Sequence, residues 1–317
     1  MTFENRTWTI SEAPFIPNKL HHTETIFTVG NGYMGVRATF EEGYPAELVS
    51  TLLHGVFDHA QGELVPELVN VPNPLPVIVE VDGEAFHMTH GTLHGYNRTL
   101  DLRKAMLERG VIWRNRKGTI VQITFQRFAS LELEHVLAQR ITVRALNRPC
   151  QVRIFASVDA TQTNSGVAHF AQLKAAISED RVSVSGQTGQ SHYDVAVAST
   201  LQAGDPACKM RPADQIELQP ALQAECSLEK EQMATFYKYS AIHSNRDTAD
   251  PLAAAHKTLD ACVARGWESL AAAHEREWDV YWQGSDVEIE GDETAQRGIR
   301  FAIYHVLIAA PRHDEHV

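Results

Sequence analysis

The sequence predicts a mainly β protein, a large antiparallel β-sandwich that gives way near residue 250 to helices. Three observations carry this expectation. Most segments before residue 250 alternate apolar and polar residues with period two, as half-buried strands do. No long helical pattern separates them, which argues against a parallel α/β sheet. From Asp250 onward the apolar spacing becomes helical. The 317 residues exceed one small core, but a large all-β domain can reach about 250 residues undivided. Residues 1–249 are therefore read as the sandwich.

Gly30-Asn-Gly-Tyr-Met-Gly35 places three glycines in six residues, which suits a sharp turn with φ > 0 and close backbone approach. A phosphate cradle is the alternative, but the P-loop lysine is missing and no long helix pattern follows. Arg37, just beyond, could pair with a carboxylate or reach an adjoining domain. Pro66, Pro72, Pro74 and Pro76 exclude a central strand over residues 63–77, which reads as an ordered surface loop. Val77-Ile-Val-Glu-Val81 then runs into Asp82-Gly83, a strong hairpin signal. Val121, Ile123 and Phe125 share one strand face; Leu137, Ile141, Val143 and Ala145 share another. Cys150, Val152, Ile154, Ala156 and Val158 repeat the pattern, and shorter strands follow around 182–184, 195–197 and 235–239.

Asp250 can cap a helix with Pro251 in its first position; Leu252, Ala255, Leu259 and Cys262 form its stripe, and Gly266 stops it. A second helix over 267–282 carries Leu270, His274, Trp278 and Trp282. Gly284 ends it, and Val287-Glu-Ile-Glu290 is extended. A third helix, capped by Asp292, is expected to reach about Ala310. Its apolar residues (Ala295, Ile299, Ala302, Ile303, Val306, Ile308) spread over a broad face, which implies burial on more than one side. The chain stops soon after, so the expectation is a second domain that has been cut short.

Hydrophobic residues make up 44% and charged residues 21%, the balance of an ordinary globular chain. The net charge of -12 repels phosphate backbones and anionic lipid, so neither a nucleic acid nor a membrane is an expected partner. Cys150, Cys208, Cys226 and Cys262 are far apart without a CxxC pair, as expected of small buried side chains in a reducing compartment. With no signal-peptide pattern and no long apolar span, the expected location is cytoplasmic.

Few residues suggest chemistry on their own. His87, His90 and His94 would align on a helix, but their glycine-rich surroundings favour strands and turns, so no metal is expected. His313-Asp-Glu-His316 is not HExxH and follows a proline; polar interdomain packing is its ordinary role. Asp286, Glu288, Glu290, Asp292 and Glu293 read as a solvated charge run rather than an acid–base pair across a sugar. Trp278 and Trp282, four apart on a helix, suit core packing better than sugar stacking.

Three segments, with Asn97-Arg-Thr-Leu-Asp-Leu-Arg103, carry a family resemblance. They are Glu24-Thr-Ile-Phe-Thr-Val-Gly-Asn-Gly-Tyr-Met-Gly-Val-Arg37, Leu53-His-Gly-Val-Phe-Asp58 with Leu68-Val-Asn-Val-Pro-Asn-Pro74, and Trp278-Asp-Val-Tyr-Trp-Gln-Gly-Ser-Asp-Val-Glu-Ile-Glu-Gly-Asp292, continuing to His316. Together and in this order they resemble glycoside hydrolase family 65, which holds maltose, trehalose and kojibiose phosphorylases and related α-glucosidases. The resemblance implies a galactose-mutarotase-like supersandwich over 1–249, a helical linker over 250–285, and the first helix of a truncated (α/α)6 barrel over 286–317. It implies that the general-acid glutamate lies beyond Val317, so this chain holds no catalytic residue. Asn31, Tyr33, Arg37, Arg312 and His313 then become candidates for the substrate rim or domain interface. The complete enzyme, a phosphorylase or hydrolase, would cleave a glucose disaccharide without a cofactor or metal: inorganic phosphate attacks with inversion to give β-glucose 1-phosphate, or, in the hydrolytic members, a second carboxylate activates water instead. A homodimer fits the family. The alternative from the sandwich class is a stand-alone carbohydrate-binding or mutarotase-like module.

Overall fold

The computed structural model of the protein describes residues 6–214 and 216–312. In chain order the first strands are β1 (Thr9–Glu12), β2 (Val29–Gly30), β3 (Met34–Val36), β4 (Thr51–Asp58), β5 (Glu67–Asn70) and β6 (Val77–Val81). They are followed by β7 (Glu84–Ala85), β8 (Thr92–Asp101), β9 (Met106–Arg114), β10 (Ile120–Ala129), β11 (Val136–Ala145) and β12 (Cys150–Ser157). The last are β13 (Phe170–Ile177), β14 (Arg181–Thr188), β15 (Asp194–Ala203), β16 (Lys209–Pro212), β17 (Ala221–Leu228) and β18 (Met233–Ser244). The helices are α1 (Leu20–Ile26), α2 (Pro251–Ser285) and α3 (Glu293–Ala309). Among the described residues no helix is long and apolar enough to cross a membrane.

Every paired strand is antiparallel. A nine-stranded sheet runs β1-β8-β9-β10-β11-β18-β15-β14-β13, a five-stranded sheet β16-β17-β12-β6-β7, and a four-stranded sheet β2-β3-β4-β5. The sandwich core interleaves Val79, Val81, Val152 and Ile154 of the five-stranded sheet with Ile123, Phe125, Ile141 and Val197 of the nine-stranded one. The Asp82-Gly83 hairpin forms as predicted, with φ of 54° and 81°, the left-handed pair that matches strand twist. On β11 the predicted inward set is buried, and Val136 and Ala138 on its other face are buried as well. The reason is α2, whose Ala255, Leu259 and Cys262 pack there with Phe128 and Ala241.

The helical tail follows its sequence signals closely up to α3. Asp250 caps α2 by accepting from the Ala253 amide at 3.0 Å. Gly266 breaks the helix at φ 72°, ψ 168°. Beyond the break Leu270, His274, Trp278 and Trp282 are buried, and Trp282 donates to the Leu102 carbonyl at 3.1 Å. In α3 the buried stripe is instead Gln296, Arg300, Tyr304 and Ile308, while Ala302 is exposed and Val306 is 67% exposed. Specific pairing overrides hydrophobicity here. Arg300 chelates Asp286 at 2.9 and 2.7 Å and lies 3.7 Å over the Trp8 ring, while Tyr304 stacks on Trp278. The helix therefore buries one side and leaves an apolar side bare.

Beyond Pro66 the proline-rich segment corrects the expectation of a surface loop, residues 63–66 being irregular and exposed as expected. Residues 67–70 form β5, and Val71, Pro72, Asn73, Pro74 and Leu75 are buried. Irregular backbone can be buried only if its polar groups find partners. A row of inward side chains supplies them. Arg98 on β8 stands opposite Arg109 on β9, and Arg127 on β10 stands opposite Gln139 on β11, which in turn faces Lys238 on β18. Gln139 donates to the Leu75 carbonyl, and Lys238 donates to the carbonyls of Pro74, Pro76 and Ser157. Arg127 donates to the Thr39 carbonyl and, at 2.8 Å, to Glu41, whose other oxygen meets Arg109 at 2.8 Å. Arg109 also binds Glu42, and Arg98 binds Glu12 and the Ala38 carbonyl.

Burial pushes the Lys238 amine down to about 7. Its three carbonyl acceptors nevertheless require three N–H donors, which only the ammonium has. Replacing Lys238→Met should orphan those carbonyls and cost about 3–5 kcal/mol in urea unfolding. It should also open residues 71–76 to hydrogen exchange; unchanged exchange there would exclude this role.

Candidate functional site

The turn over residues 30–35 joins β2 to β3 and is built around Asn31. The Asn31 Oδ1 accepts from the amides of Tyr33 (3.1 Å) and Met34 (2.9 Å), closing the turn. Its Nδ2 donates to the carbonyls of Ser130 (2.7 Å) and Glu134 (2.8 Å). Both amide hydrogens and the oxygen are thus engaged, and the side chain is buried. Asn31 organises the site and has no hydrogen-bonding hydrogen left for a ligand.

Gly32 explains the glycine content. At φ +84° its amide donates 2.9 Å to the Ile308 carbonyl, one of the last four of α3 that helix geometry leaves without an intrahelical partner. A Cβ at Gly32 would lie 2.1 Å from the Ala310 carbonyl oxygen, and one at Gly30 would lie 3.2 Å from that of Ile308. The turn therefore receives a helix end, and it is not arranged as a phosphate cradle.

The loop over residues 130–135, between β10 and β11, ties this turn to the helical tail. His274 of α2 accepts from the Leu131 amide at its Nδ1 (3.0 Å), so its Nε2 carries the proton donated to the Lys104 carbonyl (2.9 Å). Arg312 donates to the Leu131 carbonyl at 3.1 Å, pairs with Glu277 at 3.3 Å and covers the Tyr281 ring. Arg265 forks onto Glu132 at 2.8 and 2.6 Å.

At the end of this loop lies a cluster that sequence reading did not anticipate. Tyr33 donates 2.6 Å to Asp247, which also accepts from the Ser244 amide and hydroxyl. The Tyr33 ring stands edge-on to His135, which stacks 3.8 Å from His243. Both ring nitrogens of His135 face oxygens, the Ile242 carbonyl and Glu134. Burial first, and the neighbouring His135 second, hold His243 near 4. His135, His243 and Asp247 place ligand atoms within 4.8 Å of one another. The imidazole planes, however, are only 23° apart, so their in-plane lone pairs run side by side instead of converging on one ion.

Of the sequence-derived candidates, Asn31, Tyr33 and Arg312 meet around loop 130–135. Arg37 does not: it pairs with Glu24 at 3.3 Å and donates to the His21 carbonyl at 2.9 Å. It borders a separate cleft of about 500 Å³ with Glu47, Glu67 and Asn70. His313 lies outside the described residues. The missed members, His135, His243 and Asp247, have no local motif to announce them.

The Arg37 cleft holds two carboxyls in unlike surroundings, Glu47 and Glu67. Burial lifts Glu47 to about 8, while hydrogen bonds from Asn164 and then His169 draw Glu67 down. Such a split is what a general acid and base require. Each carboxyl is already engaged, however. Glu47 accepts from the Phe40 amide at 3.3 Å and Glu67 from His169 at 3.0 Å. His169 is itself locked between Glu67 and Asp58, leaving no free nitrogen for mutarotation. Two of the acids before α3 are structural as well, since Asp286 binds Arg300 and Asp292 caps α3.

Two outcomes follow from this geometry. Gly32→Ala should detach the end of α3, seen as lost amide protection in residues 304–309 while the sheet stays protected; retained protection would contradict the capping role. Burial lowers His274 to about 4 from its ordinary 6.5. Between these values the unfolded chain binds a proton that the folded chain does not. Its contribution is therefore complete above pH 6.5 and falls by roughly 3 kcal/mol as the pH drops toward 4. His274→Gln should make that part of the stability–pH curve shallower in denaturant titrations, leaving the share that His243 contributes in the same window.

Comparison with known proteins places this architecture. The family model described as "Glycosyl hydrolase family 65, N-terminal domain" matches residues 10–281. A kojibiose phosphorylase from Halothermothrix orenii is 32% identical over 99% of this chain and 42% of its own length. The Escherichia coli kojibiose phosphorylase is 29% identical over 98% of this chain, and the α,α-trehalose phosphorylase of Thermoanaerobacter brockii 27% over 96%. The chain spans only 41% and 43% of those two relatives. A solved structure, "Putative kojibiose phosphorylase from human microbiome", superposes with a TM-score of 0.85 at 18% identity, over 96% of this chain and 42% of that one, which shows a shared fold. The chain belongs to glycosyl hydrolase family 65, whose N-terminal domain it contains.

Proposed function

We propose that this chain is the non-catalytic N-terminal part of an α-glucoside phosphorylase, with residues 1–249 as its sandwich, 250–285 as a linker and 286–317 as the opening of its catalytic barrel. The observation that carries the reading is the nearly end-to-end match to about four tenths of several disaccharide phosphorylases. The bare apolar side of α3, with Ala302 and Val306 outward, supports it by offering a surface for further helices. Asn31, Tyr33 and Arg312 then shape the rim that the sandwich presents to the barrel, and Arg37 acts away from it. In the whole protein a barrel glutamate would protonate the glycosidic oxygen while inorganic phosphate attacks from the opposite face, giving β-glucose 1-phosphate with inversion. The expected setting is the cytoplasm, with no cofactor and with homodimer formation allowed.

The test compares residues 1–317 with the same chain extended by the parent gene's downstream sequence. Glucose 1-phosphate is measured from kojibiose, trehalose, nigerose and maltose with phosphate. Turnover is expected only in the extended protein, as the β anomer. Turnover by residues 1–317 alone, or none in the extended protein with any of the four sugars, would overturn the reading.

A further inference from the structure

Where α2 breaks at Gly266, the outer face of the nine-stranded sheet emerges from under the helix with a polar and aromatic surface. One row crosses five strands in register: Glu108 on β9, Gln126 on β10, Arg140 on β11, Tyr237 on β18 and Gln202 on β15. Much of it is held in place. Arg140 donates to Gln126 at 2.6 Å and to Glu268 at 3.0 Å, and Gln126 donates to Glu108 at 2.7 Å. Beside this row a cavity of about 400 Å³ is lined by Gln202, Tyr237, Tyr239, Arg265, Trp267 and Glu268. Its size falls within the range of about 300–1,000 Å³ usual for small-ligand pockets. Tyr239 is fully buried and its hydroxyl has no hydrogen-bond partner.

Charge and shape narrow the class of ligand. Arg140 is paired with Glu268, and Arg265 with Glu132, so no cation is left over for an anion. The remaining groups are an amide, a carboxylate with an exposed edge, a phenol hydroxyl and the half-exposed Tyr237 ring. Vicinal hydroxyls, which both donate and accept, match the first three, and the apolar face of a sugar ring matches the fourth.

We propose that this cavity is a binding site for a neutral sugar, with the ring against Tyr237 and its hydroxyls on Gln202, Glu268 and the Tyr237 phenol. None of its lining residues belongs to the cluster around Tyr33, and the site would act in this chain whether or not phosphorolysis is the parent's reaction.

Titration of residues 1–317 with glucose, maltose and maltotriose, followed by amide NMR shifts and calorimetry, tests the site. Saturable binding with Kd on the order of 1 mM is expected for at least one of them. Shifts should centre on residues 200–203, 237–239 and 266–268. Tyr237→Ala should weaken binding at least about tenfold. Gln202→Ala, at the half-buried end of β15, gives a second reading should Tyr237→Ala fail to fold, and Arg211→Ala, exposed on β16, should leave binding unchanged. No saturable binding to any of the three sugars, or binding untouched in Gln202→Ala and a folded Tyr237→Ala, would overturn the proposal.

Discussion

The structure depends on a row of buried cations that satisfies irregular backbone inside the sandwich. Arg98, Arg109, Arg127 and Lys238 occupy inward positions on β8, β9, β10 and β18, where a sandwich ordinarily places aliphatic residues. Three carboxylates, Glu12, Glu41 and Glu42, and a set of carbonyls from residues 38–39, 74, 76 and 157 answer them. Arg109 also lies 4.4 Å from the ring centres of both Phe40 and Phe125. Isolated, any of these charges would be strongly destabilising in so dry a place. Arranged as a network, they let two non-strand segments run through the interior, including the prolines that could not have joined a ladder.

That arrangement positions the rest. The segment that follows β3 is gripped by Arg98 and Arg127, so the turn over 30–35 sits at a defined distance from loop 130–135. Asn31 then links turn to loop, His274 links loop to α2, and the Gly32 amide links turn to α3. The helical tail is therefore tied to the turn and the loop through backbone carbonyls and amides, alongside the side-chain packing of α2 on β11. Much of what carries the family resemblance serves this assembly. Asn31, Gly32, Asp58 and Arg98 each complete a turn, a helix end or a buried ion pair, and none of the four faces open solvent.

A domain of this kind contributes shape and rigidity more than reactive groups. The two carboxyls of its Arg37 cleft, Glu47 and Glu67, are engaged by the Phe40 amide and by His169. The surfaces left for partners are of another sort: the outward side of α3, and the polar row beside Tyr237. One is apolar and suits protein; the other is polar, charge-balanced and concave, and suits a small neutral ligand.

Local spacing alone determined the strand alternation on β10, β11 and β12, the Asp82-Gly83 hairpin, the caps at Asp250 and Asp292, the break at Gly266 and the ordered motifs of the family. These features depend on neighbours within a few residues, so the chain states them directly. Tertiary structure alone decided that the proline segment is interior, because only Gln139 and Lys238, from distant strands, make its burial tolerable. It likewise decided that α3 hides Arg300 and Tyr304 in preference to Ala302 and Val306, since Asp286, Trp8 and Trp278 wait on that side. The contact of Tyr33 with Asp247 spans 214 positions, and no periodicity reaches that far; such pairs are specified by the packing of the sheets that bring them together.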